Sequence, residues 1–161
     1  MAERDFEELL RLFNKHQVRY CIVGAYAVAF HARPRYTKDM DLLVEPSIEN
    51  GSKIVAALKE FGFGSLKLTS HDFVRLEQFI QLGYEPVRID LITSITGCTF
   101  EQIWRHRVQG RYGRARTWFI GKGELIRNKR LSERRQDKVD LEILQTKKPP
   151  KNNGRNRTVP R

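Results

Sequence analysis

The sequence predicts an α/β domain built as a mixed β-sheet flanked by helices. Three observations carry this. An apolar run at residues 20–23 is closed by a glycine and followed at once by an alanine-rich helical stretch, period-two runs occupy residues 65–93, and apolar residues recur at helical spacing near both ends. A chain of 161 residues suits one domain. An apolar share of 40% with nine Phe, five Tyr and two Trp supplies a core, which excludes a wholly disordered or fibrous chain.

The elements follow in order. Phe6, Leu9, Leu10, Leu12 and Phe13 stand three and four apart among charged residues, predicting an amphipathic helix over residues 3–16 that packs on a sheet. RYCIVG reads as a buried strand ending at Gly24, and AYAVAFHA as a helix that Pro34 stops. DMDLLVEP is a strand whose first residues carry charge on one face. Ser47 caps a helix with apolar positions Ile54, Val55, Leu58 and Phe61, running up to Gly62. SLKLT, RLEQFIQLG and VRIDLIT then read as three strands of an antiparallel or mixed extension, with turns at Gly83 and Pro86. Thr99 to about His106 forms a short helix, ARTWFIG a further strand, and the closing GELIRNKRLSERRQDKVDLEILQ two helices or one bent helix.

Charge divides the chain unevenly. Overall 30 Lys and Arg face 19 Asp and Glu, a formal +11. Residues 147–161, KKPPKNNGRNRTVPR, hold six basic residues and no acidic one, so residues 1–146 carry 24 basic against 19 acidic, or +5. The reading is a domain over residues 1–146 and a basic, disordered tail over 147–161, since a Pro-, Asn- and Arg-rich segment without periodicity buries too little to offset its ordering entropy. No apolar run reaches a membrane span, and the acidic start MAERDFEELL is unlike a signal peptide, so a cytoplasmic protein without a membrane partner is expected. Cys21 and Cys98 sit in apolar stretches and are read as buried thiols; with two cysteines there is no disulfide framework and no four-Cys zinc site. No Gly-x-x-x-x-Gly-Lys-Ser/Thr phosphate loop occurs, and the histidines lack the spacing of zinc ligands.

The informative signal is where the acids lie. Asp39 and Asp41, two apart on a strand, project from one face and repel one another, a repulsion relieved by a hard divalent cation between them. Asp90 stands in the apolar run VRIDLIT and would complete a carboxylate cluster if its strand joined the same sheet. Such a scaffold suits two-metal chemistry on a nucleoside triphosphate. The helix that starts at Gly24 offers backbone amides and the positive end of its dipole to phosphates. Asp137 and Asp140, three apart on the last helix, are read as pairing with Arg134, Lys138 or Arg135.

The stretch YCIVGAYAVAFHARPRYTKDMDLLVEP, the later VRIDLIT and the closing ELIRNKRLSERRQDKVDLEIL together resemble the nucleotidyltransferases of the DNA polymerase beta superfamily, most of all its small bacterial branch of minimal nucleotidyltransferases and AbiEii-like proteins. The resemblance covers about residues 6–145. It implies a nucleotidyltransferase fold, with Asp39, Asp41 and Asp90 as catalytic and metal-binding carboxylates holding two Mg²⁺ ions. It further implies that Gly24 and Ala25 form the phosphate-binding turn, that Thr37 and Lys38 touch phosphate or hold the loop before the acids, and that Lys129 reaches the triphosphate. Many relatives have Gly-Gly or Gly-Ser at that turn; with Gly24-Ala25, phosphate contact rests on backbone amides alone. His31, with Arg33 and Arg35 nearby, is read first as structural, with orientation of the acidic loop as the alternative. The implied reaction moves a nucleoside monophosphate from a triphosphate such as ATP to an acceptor hydroxyl on RNA, a protein or a small molecule. The alternative is a non-catalytic module that keeps the fold and binds nucleic acid or a protein, as in one half of a toxin–antitoxin pair.

Overall fold

The computed structural model describes residues 2–34, 37–84, 87–146 and 157–159. Six helices surround one seven-stranded mixed sheet of order β3-β4-β2-β1-β6-β5-β7. Helix α1 (Ala2–Lys15) buries Phe6, Leu9, Leu10 and Phe13. After it, β1 (Tyr20–Val23) is buried along its whole length, and α2 (Gly24–His31) follows with no intervening loop. Strand β2 (Asp39–Val44) lies antiparallel to β1, and Ser47 caps α3 (Ile48–Leu58) by accepting from the Asn50 amide. A π-type turn, Lys59–Phe63, ends that segment where Gly62 adopts φ +111°.

Strands β3 (Phe79–Tyr84) and β4 (Val87–Ile92) form an antiparallel pair, and β4 lies parallel to β2. Helix α4 (Phe100–Arg105) opens at Thr99, whose hydroxyl and the Gln102 side chain cap one another's amides. Strands β5 (Val108–Tyr112) and β6 (Ala115–Phe119) make a hairpin, with β6 parallel to β1. Helices α5 (Lys122–Arg130) and α6 (Arg135–Thr146) pack together, and β7 (Arg157–Val159) runs parallel to β5 at the sheet edge.

Two expectations about strands change. SLKLT is not a strand: Gly64–Leu66 is a 3₁₀ turn, and Lys67 takes a left-handed conformation, so the alternation of Leu66 and Leu68 has no neighbouring strand to pair with. Conversely, RVQGRYG was not read as a strand yet forms β5, because Gly110 lets the Phe30 and Phe119 rings approach a position where a Cβ would collide with them. Of the segment read as a disordered tail, Arg157–Val159 are placed as β7; residues 147–156 lie outside the described residues, as do Arg35 and the Pro86 turn.

The sheet has two unlike faces. Tyr20, Ile22, Met40, Leu42, Val44, Ile89, Leu91 and Phe119 are buried on one of them, over which Tyr20 meets Phe13 of α1 and Phe119 stacks on Phe30 of α2 at 4.0 Å. Each such buried side chain contributes about 1.5–3 kcal/mol, so this face carries the domain's stability. The opposite face holds Val23, Asp39, Asp41, Arg88 and Asp90, and it is here that polar groups gather. Among the described residues no helix is long and apolar enough to cross a membrane.

Candidate active site

The register of the sheet assembles the site. Val23, the last residue of β1, sits opposite Asp41; Asp41 is in turn beside Asp90 of β4, and Asp39 beside Arg88. Because strand residues alternate between faces, these pairings put Asp39, Asp41 and Asp90 on one surface where β1 ends and α2 begins. Asp90 is thereby brought to Asp39 and Asp41, which precede it by 51 and 49 residues in the sequence.

Gly24 turns the chain. Its φ of +68° is the left-handed region, and a Cβ there would collide with Oδ2 of Asp41. The residue before it, Val23, is extended and its side chain gives the start of α2 no cap. Beside this turn opens a cavity of about 340 Å³, lined by Val23, Gly24, Ala25 and Asp41 on the sheet side and by Asn128, Lys129, Ser132, Arg134, Asp137 and Asp140 on the helical side.

The carboxylates are not equivalent. Burial first, then the charge of Asp90 and a hydrogen bond to it, then the charge of Asp39, push Asp41 up to about 7, with Lys129 pulling the other way. Asp90 is buried and also accepts from Gln81 Nε2 at 3.2 Å. Asp39 turns instead to Arg88, whose Nη2 lies 3.3 Å from its Oδ2, while Arg88 Nε is 3.8 Å from Asp90 Oδ1. Asp39 Oδ1 is buried without a hydrogen-bond partner among the described residues. Arg88 is thus the cation that the acids already face, a role the sequence reading did not assign to it.

In this arrangement no group of three His, Cys, Asp or Glu side chains among the described residues is gathered closely enough to hold an ion. The donor set nonetheless suits a hard divalent cation. It offers a carboxyl pair, half-buried Asp41 and buried Asp90, that repels when both are ionised, and an unsatisfied oxygen on Asp39. Cation binding would need Asp39 to exchange Arg88 for the ion.

The remaining candidates separate. Lys129 is buried, and its Nζ donates to Asp137 Oδ1 at 2.6 Å and lies 3.3 Å from Asp140 Oδ2. Ser132 donates to the other oxygen of Asp137 at 2.6 Å. Of the expected partners Arg134 does pair with Asp137, Nε to Oδ2 at 3.8 Å, and the shorter contact comes from Lys129 of α5. Asp137 and Asp140 therefore belong to the cavity wall; their spacing of three with a lysine on the preceding helix was the signal for it. Thr37 lies outside the cavity lining and holds the loop: its hydroxyl donates to the Asp39 carbonyl at 3.3 Å, and its own carbonyl accepts from Tyr26 at 3.4 Å. Lys38 is exposed on that loop. His31 does not reach the acids; it is buried, and its Nε2 donates to the Ile120 carbonyl at 2.6 Å. Cys21 is buried as expected, whereas Cys98 is only half-buried.

No protein-family model matches the sequence, and no curated protein sequence does. Solved structures do share the fold. The lincosamide antibiotic adenylyltransferase LnuA, in its lincomycin-bound form, is similar with a TM-score of 0.54 at 14% identity, over 91% of this chain and 98% of that one. An antigenic nucleotidyltransferase-like protein from Paracoccidioides brasiliensis is similar with a TM-score of 0.53 at 13% identity, over 89% and 73%. At such identities the likeness shows the fold, a mixed sheet with flanking helices in the nucleotidyltransferase arrangement.

Proposed function

We propose that this protein is a nucleotidyltransferase of the DNA polymerase beta superfamily, moving a nucleoside monophosphate from a nucleoside triphosphate to an acceptor hydroxyl. The observation that carries the reading is the placement of Asp41 and Asp90, with Asp39 beside them, against the Gly24 turn at the edge of a cavity whose far wall bears Lys129. Adenylyl transfer by a protein of the same fold, LnuA, favours ATP as donor.

In this reading the backbone amides at the uncapped start of α2 receive the phosphates, helped by the helix dipole, and the small Ala25 keeps that approach open. Lys129 supplies positive charge on the opposite wall, held in place by Asp137 and Asp140. Asp90, buried and oriented by Gln81, accepts the hydrogen bond of the acceptor hydroxyl and assists removal of its proton. Asp39, Asp41 and Asp90 would hold two Mg²⁺ ions, which when bound activate the hydroxyl and neutralise the triphosphate. The acceptor is RNA, a protein or a small molecule, classes that the fold alone does not separate.

The test is a transfer assay with labelled triphosphates, preceded by thermal shift with ATP, GTP, CTP and UTP in the presence and absence of Mg²⁺. A metal-dependent rise in the unfolding midpoint, lost in Asp39→Ala plus Asp41→Ala, supports the reading. Turnover retained in that purified double variant would end it.

One observation favours a second reading. Arg88 already neutralises Asp39 and faces Asp90, as a cation built into a site that no longer recruits metal would. The protein would then be a non-catalytic binding module on the same fold, including the partner of a toxin–antitoxin pair. Binding that survives loss of Asp39 and Asp41, with no nucleotide-dependent thermal shift, distinguishes it.

A further inference from the structure

Away from the cavity, the same face of the sheet carries charge that the carboxylate site does not use. Arg111 of β5 and Arg116 of β6 are direct cross-strand partners, and both are exposed. Their Cβ atoms stand about 5 Å apart, a juxtaposition of like charges that destabilises a hairpin. Neither has an ion-pair partner among the described residues. The next pair toward the cavity, Gln109 and Trp118, shares their face. There the Arg107 guanidinium lies 3.7 Å from the Trp104 ring and 4.3 Å from that of Trp118, and no carboxylate accompanies it among the described residues.

A second observation points to the same edge. Strand β7 pairs with β5, with Arg157 in register with Gly110 and Thr158 with Arg111. Arg157–Val159, from a stretch of sequence with no acidic residue, thereby lie at the edge of the strand that already carries the arginine pair.

We propose that this face of the β5–β6 hairpin is a docking surface for the phosphate backbone of a single-stranded nucleic acid. Guanidinium groups match phosphate geometry bidentately, and an arginine pair retained at a cost in stability implies a polyanionic ligand that relieves it. The face carries Gln109 and the half-buried Trp118 beside the arginines, the Trp118 ring already packing against Arg107 and Trp104, so phosphate contacts carry the docking. An acidic protein segment is the competing occupant, and displacement by polyglutamate separates the two. Arg116 lies three residues from the end of β6, about 10 Å, so a strand docked here extends toward the cavity. The proposal does not depend on turnover at the carboxylates.

The test is fluorescence anisotropy of the full chain with short labelled single-stranded RNA and with DNA of the same sequence, in EDTA and without nucleotide, over a range of salt. Arg111→Thr plus Arg116→Thr is expected to raise the unfolding midpoint by about 1–3 °C, because a like-charge pair is removed at strand positions that threonine tolerates. The same double variant is expected to weaken binding and to reduce the log–log salt slope by about 1.4, two phosphate contacts at about 0.7 each. Arg111→Lys plus Arg116→Lys keeps the slope. A preference for RNA over DNA, or equal binding, supports the proposal and identifies the sugar it reads. The proposal is overturned if the wild-type chain binds neither, if the threonine variant keeps its affinity and slope, or if polyglutamate of equal charge displaces the nucleic acid as well as unlabelled RNA does. Binding that persists in Asp39→Ala plus Asp41→Ala while transfer is lost separates this surface from the catalytic reading.

Discussion

Asp41 leans its carboxylate against the bare Cα of Gly24, so closely that a methyl group there would collide with Oδ2. The turn and the acid are thus one unit. The glycine satisfies two demands at once, a left-handed backbone and the absence of a side chain where the acid must lie. Gly24→Ala is expected to cost about 1–3 kcal/mol in urea unfolding and to reduce nucleotide-dependent thermal stabilisation, because it both strains the backbone and displaces Asp41. Unchanged stability with unchanged nucleotide response would show that the turn has room it does not display.

Removing the acid itself should stabilise the fold. Burial and the neighbouring carboxylates make an ionised Asp41 unfavourable, so Asp41→Asn in the absence of divalent cations is expected to raise stability at pH 8 by about 2 kcal/mol while abolishing transfer. Denaturant titration of the two proteins side by side checks it. A less stable Asn variant would mean that the carboxylate is held by favourable contacts.

Lys129 sits among carboxylates with little access to water: its side chain is 8% exposed, that of Asp137 10% and that of Asp140 1%. Replacing it by methionine keeps the volume but removes the ammonium that both buried acids face. The expected loss is about 3–5 kcal/mol by urea unfolding, larger than for any exposed lysine.

The same cluster sets an acid limb. Burial raises the Asp137 carboxyl, but hydrogen bonds from Lys129 and Ser132 and the charges of Lys129 and Arg134 outweigh it, holding the group below the usual carboxylate value. A carboxyl lowered in the folded state binds fewer protons than in the unfolded chain. Its contribution is therefore present above the unfolded value near 4 and is lost as pH falls through the lower folded value. Asp137→Asn should flatten the decline of the unfolding midpoint below pH 4; an unaltered acid limb would count against this coupling.

The two thiols should report separately on folding. Burial pushes Cys21 up to about 12, whereas Cys98 is half-buried and only raised. A thiol reagent at pH 8 is expected to label Cys98 alone in the native protein and both in denaturant, as counted by mass. Native labelling of Cys21 would reveal opening of β1.

How much of this was legible beforehand depends on the range of the interactions involved. The alternation of Asp39 and Asp41 ahead of Leu42, Leu43 and Val44 is a property of one strand, and the glycine between an apolar run and an alanine-rich helix is a property of one turn. Both were readable because strand and helix periods are local. Leu66 and Leu68 misled for the same reason: their alternation was real, but no strand lay beside them. Strand β5 was missed because Gly110 serves the Phe30 and Phe119 rings, 80 and 9 residues away in the chain, and a glycine read alone looks like a turn.

By itself the sequence determined the layered α/β domain, the strand–glycine–helix turn and the set of acids, since each follows from local steric and hydrophobic preferences. Only the tertiary structure decided which charges meet. The register that places Asp41 beside Asp90 and Asp39 beside Arg88, the packing of α5 on α6 that locks Lys129 between Asp137 and Asp140, and the hairpin that sets Arg111 against Arg116 all join residues from separate elements. Coulomb interactions depend on distance in space and on burial, and neither quantity exists until the sheet has closed its register.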